Sequence, residues 1–176
     1  SDNPLIVHIA DWEAIRAIVS EIPEAAKQLA DAFWPGPLTM ILNKSDLVPY
    51  ATTGGLETVA VRMPVNPIAR ALIRAGGGYV AAPSANTSGR PSPTKAEHVA
   101  EDLNGKIDMI IDGGTVDIGL ESTIVDLTDG APTILRPGYI NQEMLTKVLG
   151  EVEMDRGLIA PESGVHPKAP GMKYRH

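Results

Sequence analysis

The sequence has 176 residues, a formal net charge of −7 at pH 7 and no cysteine. The length suits about one domain. The charge disfavours nonspecific binding of nucleic acid over the whole surface, and the lack of cysteine excludes disulfides and thiolate metal sites. Hydrophobic residues make up 43% of the chain, yet no apolar run approaches the roughly 20 residues that cross a bilayer. We therefore expect a globular, cytoplasmic protein without membrane contact.

The first part of the chain predicts a strand, two helices and a second strand. Pro4 to Ile9 is a short apolar run of strand type, and Asp11 is expected to cap the helix that follows. Apolar residues keep helical spacing beyond Pro23, but that proline favours a division into two helices. Trp34-Pro35-Gly36-Pro37 ends the second helix, and Leu38 to Leu42 reads as a strand.

The next strand, Thr58 to Met63, alternates apolar and polar side chains. Such alternation places Thr58 and Arg62 on the same face of a sheet, about 13 Å apart at ~3.3 Å per residue. One small molecule with two ends could therefore touch both residues. Asn66 and Pro67 then predict a capped helix to Ala75, because Asn is a favoured cap and Pro is favoured at the first helical position.

Further elements follow with regular spacing. Gly76 to Gly78 ends the helix, and Tyr79 to Ala82 is strand-like. Thr94 to Glu97 fits a capping box for a helix to about Leu103, and Asn141 begins a last helix that ends at Gly150. Between these two helices there are three strand-like segments: Ile107 to Ile111, Ser122 to Leu127 and Thr133 to Arg136. This order predicts an α/β fold with a twisted mixed sheet and flanking helices. From Glu151 onward, Gly and Pro interrupt any period, so we expect a domain over residues 1–150 and a linker or arm over 151–176.

The loop from Pro83 to Pro93 concentrates hydroxyl, amide and guanidinium groups at the end of a strand and before a helix. Open amides and small hydroxyl donors in that position suit an anionic phosphate. A turn in which Ser84, Asn86 and Ser92 satisfy their own backbone explains the composition equally well. The sequence contains no nucleotide-binding glycine motif of the usual kinds and no serine nucleophile elbow.

Three other polar residues lie at strand ends. Ser122 is explained more readily as a polar strand entry than as a ligand contact. Arg136 suits pairing with phosphate or carboxylate, and a surface salt bridge is an equal alternative. His8 ends an apolar strand, where a lone histidine is more often structural than a ligand.

Six motifs occur in a fixed order along the chain: Ser1 to His8, Trp34 to Thr39, Thr58 to Pro64, Ala82 to Asn86, Ser122 to Asp126, and Arg136 to Gly138. Together they resemble the YrdC-type threonylcarbamoyl-AMP synthases over roughly Ser1 to Gly150. The tail from His166 to His176 is similar to the linker of the long, two-domain form of that family.

The resemblance implies an enzyme that combines L-threonine, bicarbonate or CO2, and ATP with Mg2+, and that releases pyrophosphate to form threonylcarbamoyl-AMP. A downstream tRNA-modifying transferase would receive the group, and tRNA itself is a candidate partner. Attack of a carbamate on the α-phosphate needs no covalent enzyme nucleophile. We therefore name no catalytic residue and expect positioning and charge neutralisation to supply the catalysis.

The same resemblance implies which residues hold each substrate. The residues expected to contact ATP are Asn3, Thr58, Ser84, Asn86, Ser92, Arg136 and Arg175. The residues expected to hold threonine are His8, Arg62, Ser122 and the backbone around Ala82, with Arg62 as the partner of the threonine carboxylate.

Related chains carry a Lys-x-Arg motif just before the position of Ser1 and a Thr-x-Tyr-Gly-Leu motif earlier still, and neither occurs in this sequence. The sequence is therefore either a piece of a longer protein or a degenerate relative of the family. We favour the piece, truncated at both ends and lacking the N-terminal strands of the fold, whose activity alone is open. Two alternatives remain at this point. One is a nonenzymatic RNA-binding module of the same fold, which the net charge disfavours, and the other is a related carbamoyl-adenylate enzyme.

Overall fold

The computed structural model describes residues 3–83, 95–103, 105 and 121–159. Within these ranges the strands are β1 (Ile6–Ile9), β2 (Leu38–Asn43), β3 (Thr58–Arg62), β4 (Tyr79–Ala82), β5 (Thr123–Asp126), β6 (Thr133–Arg136) and β7 (Glu153–Met154). The helices are α1 (Ile15–Ile18), α2 (Glu24–Phe33), α3 (Tyr50–Thr53), α4 (Pro67–Ala75), α5 (Ala96–Leu103), α6 (Gln142–Leu149) and α7 (Arg156–Ile159), and a 3-10 turn at Trp12–Ala14 precedes α1.

The seven strands form one mixed sheet in the order β4-β1-β3-β2-β5-β6-β7. β1 pairs with β3 in parallel, β2 pairs with β5 in parallel, and β3 and β2 join these two halves in antiparallel fashion. The prediction of an α/β fold with a twisted mixed sheet and flanking helices is therefore confirmed. Several neighbouring strands are far apart in the sequence, so residues from distant motifs meet across the sheet.

Apolar side chains cover both faces of the sheet. On one face, α2 and α6 contribute Leu29 and Leu145, both fully buried, to a large core that includes Val59 and Val61 of β3. On the other face, Ala60 belongs to a smaller cluster that also contains Ile6, Ile41, Ile124 and Leu135. The predicted alternation along β3 is thus confirmed, because successive residues enter different clusters.

Two predicted helix caps are confirmed by their hydrogen bonds. The side chain of Asn66 accepts from the backbone N–H groups of Ile68 and Ala69, at 2.8 and 3.2 Å. Asn141 accepts from the backbone N–H of Met144 at 2.9 Å. Both caps satisfy amide donors that a helix start leaves without an intrahelical partner.

The start of the first helical segment differs from the prediction. Asp11 precedes the 3-10 turn, but its side chain makes no capping hydrogen bond. Its carboxylate instead accepts from Nε and Nη2 of Arg74, at 3.0 and 2.8 Å. The carboxylate of Asp11 is therefore paired with a cation distant in sequence, Arg74, and not with the backbone amides of the helical turn that follows it. The predicted division at Pro23 is confirmed, because α1 ends before it and α2 begins directly after it.

The segment after Gly150 is also more ordered than predicted. Val152 is buried in the large core, and β7 pairs with β6 through the register Thr133 with Glu153. The lack of a period from Glu151 onward gives no sign of the short elements in residues 151–159, because a two-residue strand is stabilised by pairing with its neighbour and has no period of its own. The division into a domain and a linker remains a prediction.

Some predicted elements lie outside the described residues, namely the Thr94 cap, the strand Ile107 to Ile111 and the arm from residue 160 onward. Among the helices that the structure describes, none is long and apolar enough to span a bilayer.

Candidate active site

Three polar residues lie level with one another on adjacent strands. Arg62 of β3 is paired in register with His8 of β1 on one side and with Thr39 of β2 on the other. Residues in register on neighbouring strands project to the same face at a spacing of about 4.5–5.5 Å. His8, Arg62 and Thr39 therefore form a row across three strands, on the face of the smaller apolar cluster that Ala60 defines.

Ser122 and Arg136 continue this row beyond β2. The hydroxyl oxygens of Thr39 and Ser122 lie 2.7 Å apart, and both residues are buried. Arg136 donates from Nε and Nη2 to the carbonyl oxygen of Ser122, at 3.1 and 2.9 Å, and from Nη2 to its hydroxyl oxygen at 3.2 Å. Nη1 of Arg136 also lies 3.2 Å from Oε2 of Glu121. We call His8, Thr39, Arg62, Ser122 and Arg136 the polar row.

The turn at residues 34–37 fixes the strands that carry the row. The backbone N–H of Gly36 donates to the carbonyl of Met63, next to Arg62, and the N–H of Thr123 donates to the carbonyl of Pro37, each at 3.0 Å. The turn therefore ties the end of β3 to the start of β5. A side chain at Gly36 would overlap the carbonyl oxygen of Phe33, so glycine is required at this position.

A second glycine allows the loop after β6 to pack against the start of β5, next to Ser122. A Cβ atom on Gly138 would lie 2.7 Å from the carbonyl oxygen of Glu121 and from both the N and Oγ1 atoms of Thr123. These distances are shorter than van der Waals contact, so only glycine fits without movement of the backbone. The Oγ1 hydroxyl of Thr123 in turn donates to the carbonyl of Ile140 at 2.7 Å, which holds the loop against β5.

The row contains two cations, Arg62 and Arg136, and among the described residues only Arg136 has a carboxylate partner. Burial lowers the pKa of Arg62, and the nearby charge of Arg136 lowers it further. Arg136 is also buried, which lowers its pKa, but the carboxylate of Glu121 opposes that shift. Both guanidinium groups stay charged near neutral pH, because arginine titrates far above it. The Nε atom of Arg62 is buried and has no hydrogen-bond partner among the described residues, which makes Arg62 a natural partner for an anion.

The surroundings of His8 favour its neutral form. Burial lowers its pKa below the usual 6.5, the charge of Arg62 lowers it further, and the carbonyl groups of Ile6 and Val80 partly oppose these effects. Nδ1 of His8 lies 3.1 Å from the carbonyl oxygen of Ile6. A carbonyl can only accept, so this nitrogen carries the proton and donates.

The remaining predicted residues lie around the row at different depths. Thr58 is on the same face of β3 as Arg62, at the other end of the strand, and its hydroxyl oxygen is buried without a partner in the described part of the chain. Ala82 of β4 pairs with Ile6, which is two residues before His8 on β1. Asn3 is half-buried just before β1. The other predicted residues, Ser84, Asn86, Ser92 and Arg175, lie outside the described residues.

The sequence did not single out two members of this arrangement. Thr39 stands in the apolar strand Leu38-Thr39-Met40, where it reads as an ordinary β-branched strand residue, and only its register against Arg62 reveals its place. Glu121 was not predicted as a partner, although the salt-bridge alternative for Arg136 was. That salt bridge exists, but with side chains only 16% and 27% exposed for Arg136 and Glu121 it is largely buried rather than a surface pair.

The comparisons with known proteins agree with this geometry. The sequence model of the Sua5/YciO/YrdC family, which is described as "Telomere recombination", matches residues 1–138. The threonylcarbamoyl-AMP synthase of Pyrococcus abyssi is 55% identical over 176 residues, which are 100% of this chain and 52% of that protein. The threonylcarbamoyl-AMP synthase of Bacillus subtilis is 53% identical over 177 residues, 100% of this chain and 51% of that protein.

A solved structure, that of P. abyssi Sua5 in complex with L-threonine, superposes with a TM-score of 0.94 at 55% identity, covering 99% of this chain and 51% of that one. The α/β domain with its twisted mixed sheet is thus shared with a protein that was solved in complex with L-threonine. The chain belongs to the Sua5/YciO/YrdC family, which confirms the resemblance of the six motifs. It spans about half the length of the P. abyssi and B. subtilis relatives.

Proposed function

We propose that the protein containing this chain is a transferase that makes threonylcarbamoyl-AMP from L-threonine, bicarbonate or CO2, and ATP, with release of pyrophosphate. The observation that carries the proposal is the polar row, in which the buried Nε of Arg62 has no hydrogen-bond partner among the described residues and lies near a second cation, Arg136. Relatives named threonylcarbamoyl-AMP synthase match the whole chain at up to 55% identity and support the same activity.

Threonine is proposed to bind at the centre of the row. Arg62 would pair with the carboxylate, because a guanidinium forms strong charge-assisted hydrogen bonds with that group. Ser122 lies beside the same place, because its hydroxyl oxygen is 2.7 Å from that of Thr39, which is in register with Arg62. His8 adds a neutral ring, which leaves Arg62 as the main cation on this side of the site. The backbone around Ala82 would close the site from β4.

ATP is proposed to contact Arg136, in the polar row, and Thr58, at the other end of β3. Arg136 would neutralise phosphate charge, and the buried hydroxyl of Thr58 would contact another part of the nucleotide, since it has no partner in the described part of the chain. Asn3, half-buried beside β1, completes the described part of the proposed set. Ser84, Asn86, Ser92 and Arg175 belong to the same proposal from outside the described residues.

The proposed chemistry joins two of the substrates before ATP is cleaved. The nitrogen of the threonine amine forms a bond to the carbon of CO2 and loses a proton to solvent, which gives a carbamate. A carbamate oxygen then attacks the α-phosphorus, and pyrophosphate leaves with the electrons of the broken P–O bond. The row supplies fixed positive charge and orientation rather than a nucleophile.

Mg2+ is proposed to enter with ATP, where it would neutralise phosphate charge. In the described part of the chain, no cluster of three or more His, Asp or Glu side chains could hold a metal ion. The phosphates would therefore supply most of the ligands that Mg2+ requires. We further propose that the product passes to a tRNA-modifying transferase, that tRNA contacts are secondary, and that the reaction takes place in the cytoplasm.

The test is the reaction itself, performed with the full-length protein that contains this chain. Incubation with ATP, bicarbonate and labelled L-threonine should give a labelled adenylate together with pyrophosphate. A parallel reaction with carbamoyl phosphate in place of threonine and bicarbonate tests the related carbamoyl-adenylate activity. No labelled adenylate over a range of pH and Mg2+ concentration, from a protein that is folded, would refute the proposal.

A further inference from the structure

Thr39 is buried at the centre of the polar row, but it has no role in substrate contact in the function proposed above. Its side chain is fully buried, with 0% exposure, and its hydroxyl oxygen lies 2.7 Å from that of Ser122. In the described part of the chain, Ser122 is the only side-chain hydrogen-bond partner of Thr39. The two residues are 83 positions apart in sequence, so the contact depends on the pairing of β2 with β5.

The direction of this hydrogen bond decides what Ser122 can do. If Ser122 donated to Thr39, the hydrogen of the Thr39 hydroxyl would have no acceptor among the described residues, whether or not a ligand were bound. A buried donor left without an acceptor costs about 1–3 kcal/mol. If Thr39 donates to Ser122, every hydroxyl hydrogen has an acceptor as soon as a ligand oxygen lies beside Ser122.

Arg136 strengthens the same assignment. Its Nη2 group donates to the hydroxyl oxygen of Ser122 at 3.2 Å. A hydroxyl oxygen has two lone pairs, and the donors on Thr39 and Arg136 occupy both. Ser122 is then left with one function toward a ligand, which is to donate its hydrogen.

We infer that Thr39 is a positioning residue that fixes Ser122 as a hydrogen-bond donor to the carboxylate of bound threonine. The inference rests on the proposed function, because it takes threonine as the ligand beside Arg62. A donor next to a guanidinium suits a carboxylate, which only accepts. Thr39 thus shapes the specificity of the site without touching the substrate.

The experiment uses the full-length protein and measures L-threonine and ATP binding by titration calorimetry. Thr39→Val keeps the shape of the side chain and removes the hydroxyl, so threonine affinity should fall roughly tenfold, as expected for the loss of one net hydrogen bond. ATP affinity should change by less than about twofold, because Ser122 does not contact the nucleotide in this assignment. Thr39→Ser restores the hydroxyl and should recover most of the threonine affinity.

A matched control is available in Thr53, which is also buried, at 1% exposure, and donates to the carbonyl of Leu56 at 2.7 Å. Thr53→Val removes a buried threonine hydroxyl away from the row and should leave threonine affinity unchanged. A second comparison uses L-threoninol, which lacks the carboxylate. Thr39→Val should reduce the preference for threonine over threoninol, whereas a general loss of folding would reduce both affinities together.

A double-mutant cycle with Ser122→Ala tests whether Thr39 acts through Ser122. Once Ser122 is alanine, Thr39→Val should cause less than about a twofold further loss, since both changes remove the same interaction. If Thr39→Val does not fold, Thr39→Ala takes its place in the cycle. Fully additive losses, unchanged threonine affinity in Thr39→Val, or equal losses for threonine and ATP would each overturn the inference. A wild-type protein that binds ATP but not threonine would refute the proposed function, and the inference with it.

Discussion

Arg62 makes no ion pair within the part of the chain that the structure describes, and its replacement should therefore separate stability from binding. In Arg62→Met the side chain keeps most of its length but loses the half-buried guanidinium, whose Nε has no partner among the described residues, and the repulsion from Arg136. Replacement of a buried ion pair by apolar groups of similar size is often neutral or stabilising by about 1–4 kcal/mol, and a charge that lacks a partner costs more to bury than a paired one. We expect a gain of about 1 kcal/mol, because Arg62 is only half-buried and part of its charge is solvated.

Threonine binding should move in the opposite direction. Hydrogen bonds to charged groups contribute about 1.5–3 kcal/mol each, and loss of about 3 kcal/mol is a fall of roughly 100-fold in affinity. The assay is titration calorimetry with L-threonine and with ATP, alongside urea unfolding of the ligand-free protein. Arg62→Met should bind threonine about 100-fold more weakly, bind ATP within a few-fold of wild type, and unfold at a higher urea concentration.

Arg74→Met is the matched control, because it removes a cation whose ion pair with Asp11 is about half exposed on both sides. Exposed pairs contribute less than about 1 kcal/mol, so this variant should be slightly destabilised and should bind threonine normally. If Arg62→Met is less stable than Arg74→Met in the absence of ligand, the charge of Arg62 does not destabilise the ligand-free protein. The assignment of Arg62 to threonine fails if threonine and ATP lose equal affinity.

Three further predictions concern stability. The pKa of His8 is lowered below 6.5 in the folded protein, so the unfolded chain takes up a proton first as the pH falls below that value. Stability that is fully present above pH 6.5 is then lost toward the lower folded pKa, and urea unfolding should show a weaker loss on acidification in His8→Gln. Gly138→Ala should destabilise the protein by about 1–3 kcal/mol and weaken ligand binding, because the new Cβ displaces the loop that follows Arg136. Asn66→Ala should cost about 1 kcal/mol by loss of the α4 cap, with no change in ligand affinity.

Each of these has a variant or outcome that checks its cause. Equal acid sensitivity of wild type and His8→Gln would contradict the depressed pKa. Gly130→Ala places a side chain at a φ of 68° with no atom within 4 Å, so it should strain the backbone without affecting ligand binding. Asn66→Asp keeps a capping oxygen and should retain most of the stability that Asn66→Ala loses, and a similar loss in both would argue against the cap.

Local signals in the sequence predicted local structure well. Asn66 and Asn141 cap their helices as expected, because the cap and the amides that it satisfies lie within three residues of each other. Asp11 carries the same kind of signal and does not cap, because Arg74 competes for its carboxylate from 63 residues away. The short strand β7 has no period to read and depends on its pairing with β6.

The candidate site was predictable only in part for the same reason. His8, Arg62, Ser122 and Arg136 were named from the family resemblance, and the structure brings them to one end of one face of the sheet. Their roles toward substrates remain predictions. Thr39 could not be identified without the register of β2 against β3 and β5, since an isolated threonine in an apolar strand has no distinctive local pattern.

The order of the strands also determines when in folding the row can exist. Thr39 and Ser122 meet only after the chain between them has closed a loop of 83 residues, and Arg62 stands opposite His8 only after a crossover has placed β3 beside β1. Contacts between residues so distant in sequence slow folding, because the entropy of loop closure is lost before the pairing compensates for it. A molecule that binds at the row would therefore bind only the folded sheet and would stabilise it against unfolding. Binding at the row would in turn show that the whole sheet has formed.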